Sequence, residues 1–206
     1  MPDNDSNRWN YEAQIGINLN FLSYLHAYQT AFKILYAQIG EGNAPVNIIS
    51  YPLLFLARHS LELGYKFNIN YLAKYSHRKD KVNWNYHHLR ELHDAFGLHF
   101  RGVVQKLNIS KDIADEFNSR FAEVEKLTET FNKIDRGSFN FRYPVDTEQR
   151  NVFEHRATIN LLDVKELYEK AMILVSHTAD VLSDFTDYVD DMNQLLEEEH
   201  FNNDNA

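Results

Sequence analysis

Leu56-Ala57-Arg58-His59-Ser60-Leu61-Glu62-Leu63-Gly64-Tyr65-Lys66 is the stretch on which the fold turns. It follows directly on Leu53, Leu54 and Phe55, so apolar side chains cover nearly every side of a helix wound at ~3.6 residues per turn. A helix that is apolar all round must be enclosed by others. The segment opens after Pro45, carries Pro52 near its start and runs to about Tyr75, which predicts the central member of a helical bundle.

The flanking segments supply the enclosure. From Trp9 to about Ile39 the positions Ile15, Phe21, Leu22, Leu25, Tyr28, Phe32, Leu35, Tyr36 and Ile39 predict a long amphipathic helix that Gly40-Glu41-Gly42-Asn43 ends. Downstream the pattern predicts a short helix from Tyr86 to Phe96 closed by Gly97, then a segment from Leu98 to Leu107. A helix opened by Ser110 carries Ile113, Phe117, Phe121, Val124, Leu127, Phe131 and Ile134, and a last helix runs from about Leu161 to Leu196. Between Ser138 and Ile159 the period changes. Phe139, Phe141 and Tyr143 alternate with polar residues, predicting an extended segment or small hairpin ended by Pro144. The fold expected is all-α: four long helices plus short helices, with that hairpin or extended insertion before the last helix. Residues 1–8 read as a flexible arm, 9–196 as one domain and 197–206 as an acidic tail.

Composition points the same way. A chain of 206 residues with 44% hydrophobic and 14% aromatic residues builds one well-filled core. Only 7 Gly and 4 Pro leave too few turns for a many-stranded barrel. The absence of Cys excludes disulfide scaffolds, thiolate metal sites and cysteine nucleophiles, and fits a reducing cytoplasm. Met1-Pro2-Asp3-Asn4-Asp5-Ser6 is unlike a secretory signal, and the apolar run Val46 to Ala57 is too short for a membrane span. A cytoplasmic protein with no membrane role is expected. The net charge of −9 is unevenly spread: residues 160–206 hold −10 and the first 159 only +1. From Arg58 to Arg90 the balance is +5, a candidate anion-facing patch or a solvated loop and helix end.

Three clusters carry candidate chemistry. Arg58, Glu62 and Lys66 lie four apart on the buried helix, with His59 beside them, and form either an ion-pair ladder or a phosphate site whose cations Glu62 orients. His87-His88-Leu89-Arg90-Glu91-Leu92-His93 lacks the four-residue step that assembles a metal face, and no HExxH appears, so neither metal nor cofactor is expected. His87 is a candidate neighbour of Arg58. In Phe139-Asn140-Phe141-Arg142-Tyr143-Pro144, Arg142 precedes an aromatic residue and a proline, which aims its guanidinium for stacking or bidentate pairing, or for burial against Glu62.

The segments Arg58 to Lys66, His87 to Leu92 and Phe141 to Pro144, set before a long last helix, resemble a group of bacterial proteins related to the HEPN superfamily (higher eukaryote and prokaryote nucleotide-binding). The resemblance spans about residues 20–195. It implies a helical bundle, a homodimer, and a role in toxin–antitoxin, phage-defence or RNA-cleaving systems. Catalytic members carry Arg, a polar residue and then His, matched here by Arg150, Asn151 and His155. Arg150 would hold the scissile phosphate and His155 would exchange protons with the attacking ribose hydroxyl without a metal. Two readings stay open. One is a metal-independent endoribonuclease. The other is a non-catalytic subunit that binds a nucleotide, phosphate or RNA end, or a partner protein encoded by an adjacent gene, through the polar cluster Arg58, His59, Glu62, Lys66, His87, Arg142 and Tyr143.

Overall fold

The computed structural model describes residues 8–17, 19–76, 78, 85, 87–153 and 158–204. They form five helices, α1 (Phe21–Gly40), α2 (Val46–Ala73), α3 (Leu89–Leu107), α4 (Lys111–Ile134) and α5 (Leu161–Asp204), after a 3-10 turn at Arg8–Tyr11. Among the described residues there is no strand, and one isolated antiparallel bridge joins Val145 to Asn151. The architecture is therefore the expected all-α bundle. No helix among the described residues is long and apolar enough to cross a membrane.

Several boundaries differ from the sequence pattern, each for a local reason. α1 starts at Phe21 rather than near Trp9, because the Asn20 side chain accepts a hydrogen bond from Ser23 N at 2.8 Å and caps the first turn. α3 runs straight through Gly97. That glycine permits a close approach, since a Cβ there would lie 2.6 Å from Phe121 Cζ on α4. The chain instead leaves α3 at Asn108, in the left-handed region at φ 51°. The stretch Phe139–Tyr143 turns rather than extends: the amides of Arg142 and Tyr143 both donate to Phe139 O, at 3.0 and 3.1 Å. α5 continues beyond Leu196 to Asp204. The basic loop expected after Ser76 falls outside the described residues except for Arg78 and Asn85.

α2 is the axis of the bundle, and most of its residues from Leu53 to Leu72 are buried. α5 runs parallel to it, with Val175 against Gly64, Tyr71 Oη 2.6 Å from Thr186 Oγ1, and Tyr75 Oη donating to Asp190 Oδ2 at 2.7 Å. A Cβ on Gly64 would meet Val175 Cγ2 at 2.6 Å, so this glycine sets the spacing of the two helices. α3 is also parallel to α2, His87 lying by Glu62 and His99 by Ser76. α4 runs the opposite way, placing Thr128 beside Tyr65 and Asp135 beside Arg58. One end of the bundle thus gathers the start of α3, the end of α4 and the loop from residue 135 to 153.

Candidate functional site

Arg58, Glu62 and Lys66 share one face of α2 and form a buried relay. Arg58 Nη1 donates to Glu62 Oε2 at 3.1 Å, and Lys66 Nζ donates to Glu62 Oε1 at 2.9 Å. The rest of the Arg58 guanidinium is committed to main chain: Nε donates to Asp135 O at 2.9 Å, and Nη2 to His87 O at 2.6 Å and Arg136 O at 3.4 Å. A helix end leaves carbonyls unpaired and a partial negative charge, so the guanidinium closes the C-terminus of α4 while pinning His87, two residues before α3. Burial pulls the Arg58 pKa down, and Asp135 and Glu62 oppose that shift. For Glu62 burial disfavours the charge, yet Lys66, His87 and Arg58 together hold its carboxyl below the usual range. Its Oε1 also lies 2.8 Å from His87 Nδ1, which donates to the carboxylate. The geometry presents the ion-pair ladder, with every nitrogen of the fully buried Arg58 guanidinium already engaged.

The same hub shapes the loop that follows α4. Asp135 Oδ1 accepts from Phe139 N at 2.6 Å and Asn140 N at 2.9 Å, while Oδ2 lies 3.5 Å from Arg58 Nε. Asn140 Nδ2 donates to Ile134 O at 2.6 Å, a second closure of α4. Two residues on, Arg142 Nε donates to Ser138 O at 2.6 Å, and its guanidinium carbon stands 5.9 Å from the Phe55 ring centre and 5.6 Å from that of Tyr143. Its two terminal nitrogens have no hydrogen-bond partner among the described residues. Of the alternatives for Arg142, stacking or bidentate pairing on one side and burial against Glu62 on the other, the structure does not present the burial. Arg142 lies exposed instead, close enough to Arg58 and His59 to repel their charges without touching Glu62.

Arg142 lines a cavity of about 440 Å³ together with Tyr51, Asn140, Tyr143, Asn151 and Phe153. The Tyr51 and Phe153 rings lie 6.0 Å apart, and Tyr51 and Tyr143 are each half exposed. The arrangement offers a forked cation, flat apolar faces and amide groups in a space the size of a small ligand. His59 sits behind it, stacked on Phe55 at 5.4 Å and edge-on to Tyr28 at 4.5 Å, with its pKa lowered chiefly by burial. His87 stands apart at the rim of the hub with its side chain 51% exposed.

Of the residues expected to be catalytic, Arg150 caps a tight turn, where its guanidinium pairs with Asp146 at 2.8 Å and Glu148 at 3.0 Å and is 68% exposed. Asn151 forms the bridge to Val145 and faces the cavity. His155 lies outside the described residues, so the pair Arg150 and His155 has no geometry to set beside the expectation. Sequence reasoning missed Asp135, Asn140, Tyr51 and Phe153. Asp135 and Asn140 follow a helix end, a signal that was present, whereas Tyr51 looks like any aromatic residue on a helix. No group of His, Asp or Glu that could hold a metal is found among the described residues. Comparison with protein-family models, curated proteins and solved structures gives no match.

Proposed function

We propose that the chain is a HEPN-like, nucleotide- or RNA-end-binding protein of the kind that serves bacterial defence or toxin–antitoxin systems, with the cavity around Arg142 as its ligand site. The observation that carries this reading is the exposed Arg142 guanidinium, held by Ser138 and two aromatic rings while both terminal nitrogens have no hydrogen-bond partner among the described residues. A guanidinium so held can pair bidentately with a phosphate, and a base can stack on Tyr143 or Tyr51. Arg58, Glu62 and Asp135 bind nothing themselves; they set the loop that aims Arg142. The homodimer that the resemblance implies belongs to the same proposal.

The test is fluorescence anisotropy with labelled adenosine monophosphate and a short single-stranded RNA. Arg142→Ala and Tyr143→Ala should each weaken binding about 5- to 150-fold, because a charge-assisted bidentate contact or a stacked base contributes about 1–3 kcal/mol. Binding unchanged in both variants sinks the assignment. A second reading, cleavage by Arg150 and His155, is favoured by one placement: Asn151 lines the same cavity, with Arg150 next to it. Incubation with single-stranded RNA and EDTA separates the two. Cyclic phosphate ends that vanish in His155→Ala indicate catalysis, and intact RNA leaves a binding protein.

A further inference from the structure

α5 outruns the rest of the bundle. α2 ends at Ala73, and the hydrogen bond from Tyr75, two residues past that end, to Asp190 is the last along α5 to the bundle among the described residues. Residues 191–198 are all exposed. On this distal part Val181, Tyr188, Met192 and Leu195 are 53, 67, 40 and 55% exposed. With half-buried Phe185 between the first two they follow alternating steps of four and three residues, which puts all five on one seam about 21 Å long. Nearer the bundle the same seam is Leu174 and Thr178, and there it is occupied, since Ile113 and Phe117 of α4 pack toward it. α4 begins only at Lys111. The uncovered stretch is thus the continuation of an existing helix–helix interface past the point where one partner stops.

Charge decides what can occupy it. Asp180, Asp184, Asp187, Asp191 and Glu198 fall along a single edge of the seam. From Ala171 to Ala206 there are nine Asp or Glu and no Lys or Arg. A second copy of this chain would bring nine more acids and no cation to offset them. We propose that distal α5 docks an amphipathic helix of another protein, one with an apolar seam and a row of Lys or Arg along one edge, which would extend the line of α4 along α5.

The probe is a labelled 21-residue helix-forming peptide with Leu at seam positions and Lys along one edge, beside a version with Glu in place of Lys. The Lys peptide should bind the wild-type chain and the Glu peptide should bind at least tenfold more weakly. Tyr188→Glu and Leu195→Glu, both at exposed positions, should each cost the Lys peptide tenfold or more with the helical circular dichroism unchanged. The triple variant Asp184→Lys, Asp187→Lys, Asp191→Lys should reverse the preference. Three results overturn the proposal: equal binding of the two peptides, Lys-peptide binding untouched by the seam variants, or a wild-type dimer in sedimentation that Tyr188→Glu dissociates. The cavity variants Arg142→Ala and Tyr143→Ala should bind the Lys peptide as wild type does, so this docking face stands or falls apart from the nucleotide site.

Discussion

Removing the Arg58 guanidinium takes a buried cation from Glu62, which keeps Lys66 and His87, and from Asp135, which keeps two backbone amides, and it frees the carbonyls of His87, Asp135 and Arg136 from their donor. Breaking one side of such a buried pair costs about 3–5 kcal/mol, so Arg58→Ala should shift the urea midpoint by that equivalent. Arg58→Lys should recover less than half of the loss, because one ammonium cannot reach three carbonyls and a carboxylate at once. The pH response follows from Glu62. Its folded pKa lies below its ordinary 4.5, so its contribution is present above that value and is lost as pH falls through the lower, folded one. Denaturation followed from pH 6 to 3 should show stability falling in that window, with Glu62→Gln less stable at pH 6 and flatter with pH. At this scale the ladder was legible because four-residue spacing on an apolar helix forces the charges together. The partners in the loop after α4 were not, because Asp135 is 77 positions from Arg58 and nothing local links them.

Two glycines and a histidine govern how the elements meet. Gly97 read as a helix stop, since glycine weakens helices, and the competing use, close approach to Phe121, depends on a neighbour that periodicity cannot locate. At Gly64 the obstruction is Val175, whose Cβ and Cγ2 would both lie under 3 Å from an added Cβ. A β-branched side chain cannot swing both atoms away. Gly64→Ala should therefore lower stability by about 1–2 kcal/mol, overpacking outweighing the gain of up to ~1 kcal/mol in helix propensity, as thermal melts can show. Between α3 and α4, buried His93 stacks on Phe121 at 3.8 Å, with Nδ1 3.0 Å from Tyr65 Oη. Burial first, then Arg90 and Arg101, lowers its pKa from 6.5 to about 4. The unfolded chain takes up this proton near pH 6.5 and the folded one does not, so stability is complete above 6.5 and declines toward 4. The loss should reach a few kcal/mol, and His93→Gln, whatever its stability at pH 7, should remove this component of the slope.

The whole molecule divides its tasks between its ends. The hub, the Arg142 cavity and the turn carrying Arg150 gather where α4 ends, whereas the distal part of α5 leaves the bundle at the opposite end, beyond Tyr75. Helix number and class were legible in the apolar periods. The parallel course of α2 and α3 was not, because a crossover loop and a tight hairpin connection leave the same amphipathic pattern behind. Nor was the reach of α5, since acidic residues from Glu197 onward suit a solvated helix as well as a tail. This division makes a prediction for a chain ended after Asp190. Residues 191–198 of the segment removed are exposed and contribute little burial, and the contacts of Tyr71 and Tyr75 with α5 stay intact. The shortened chain should melt within about 2 °C of the full one, the shift expected for a change under ~1 kcal/mol in a domain of this size. Its mean residue ellipticity at 222 nm should fall only slightly, because the helical residues lost, 191–204, are a small share of the helical total and the other four helices are untouched. A melting temperature lower by 5 °C or more would show that distal α5 packs against the bundle, and would remove the free face on which docking depends.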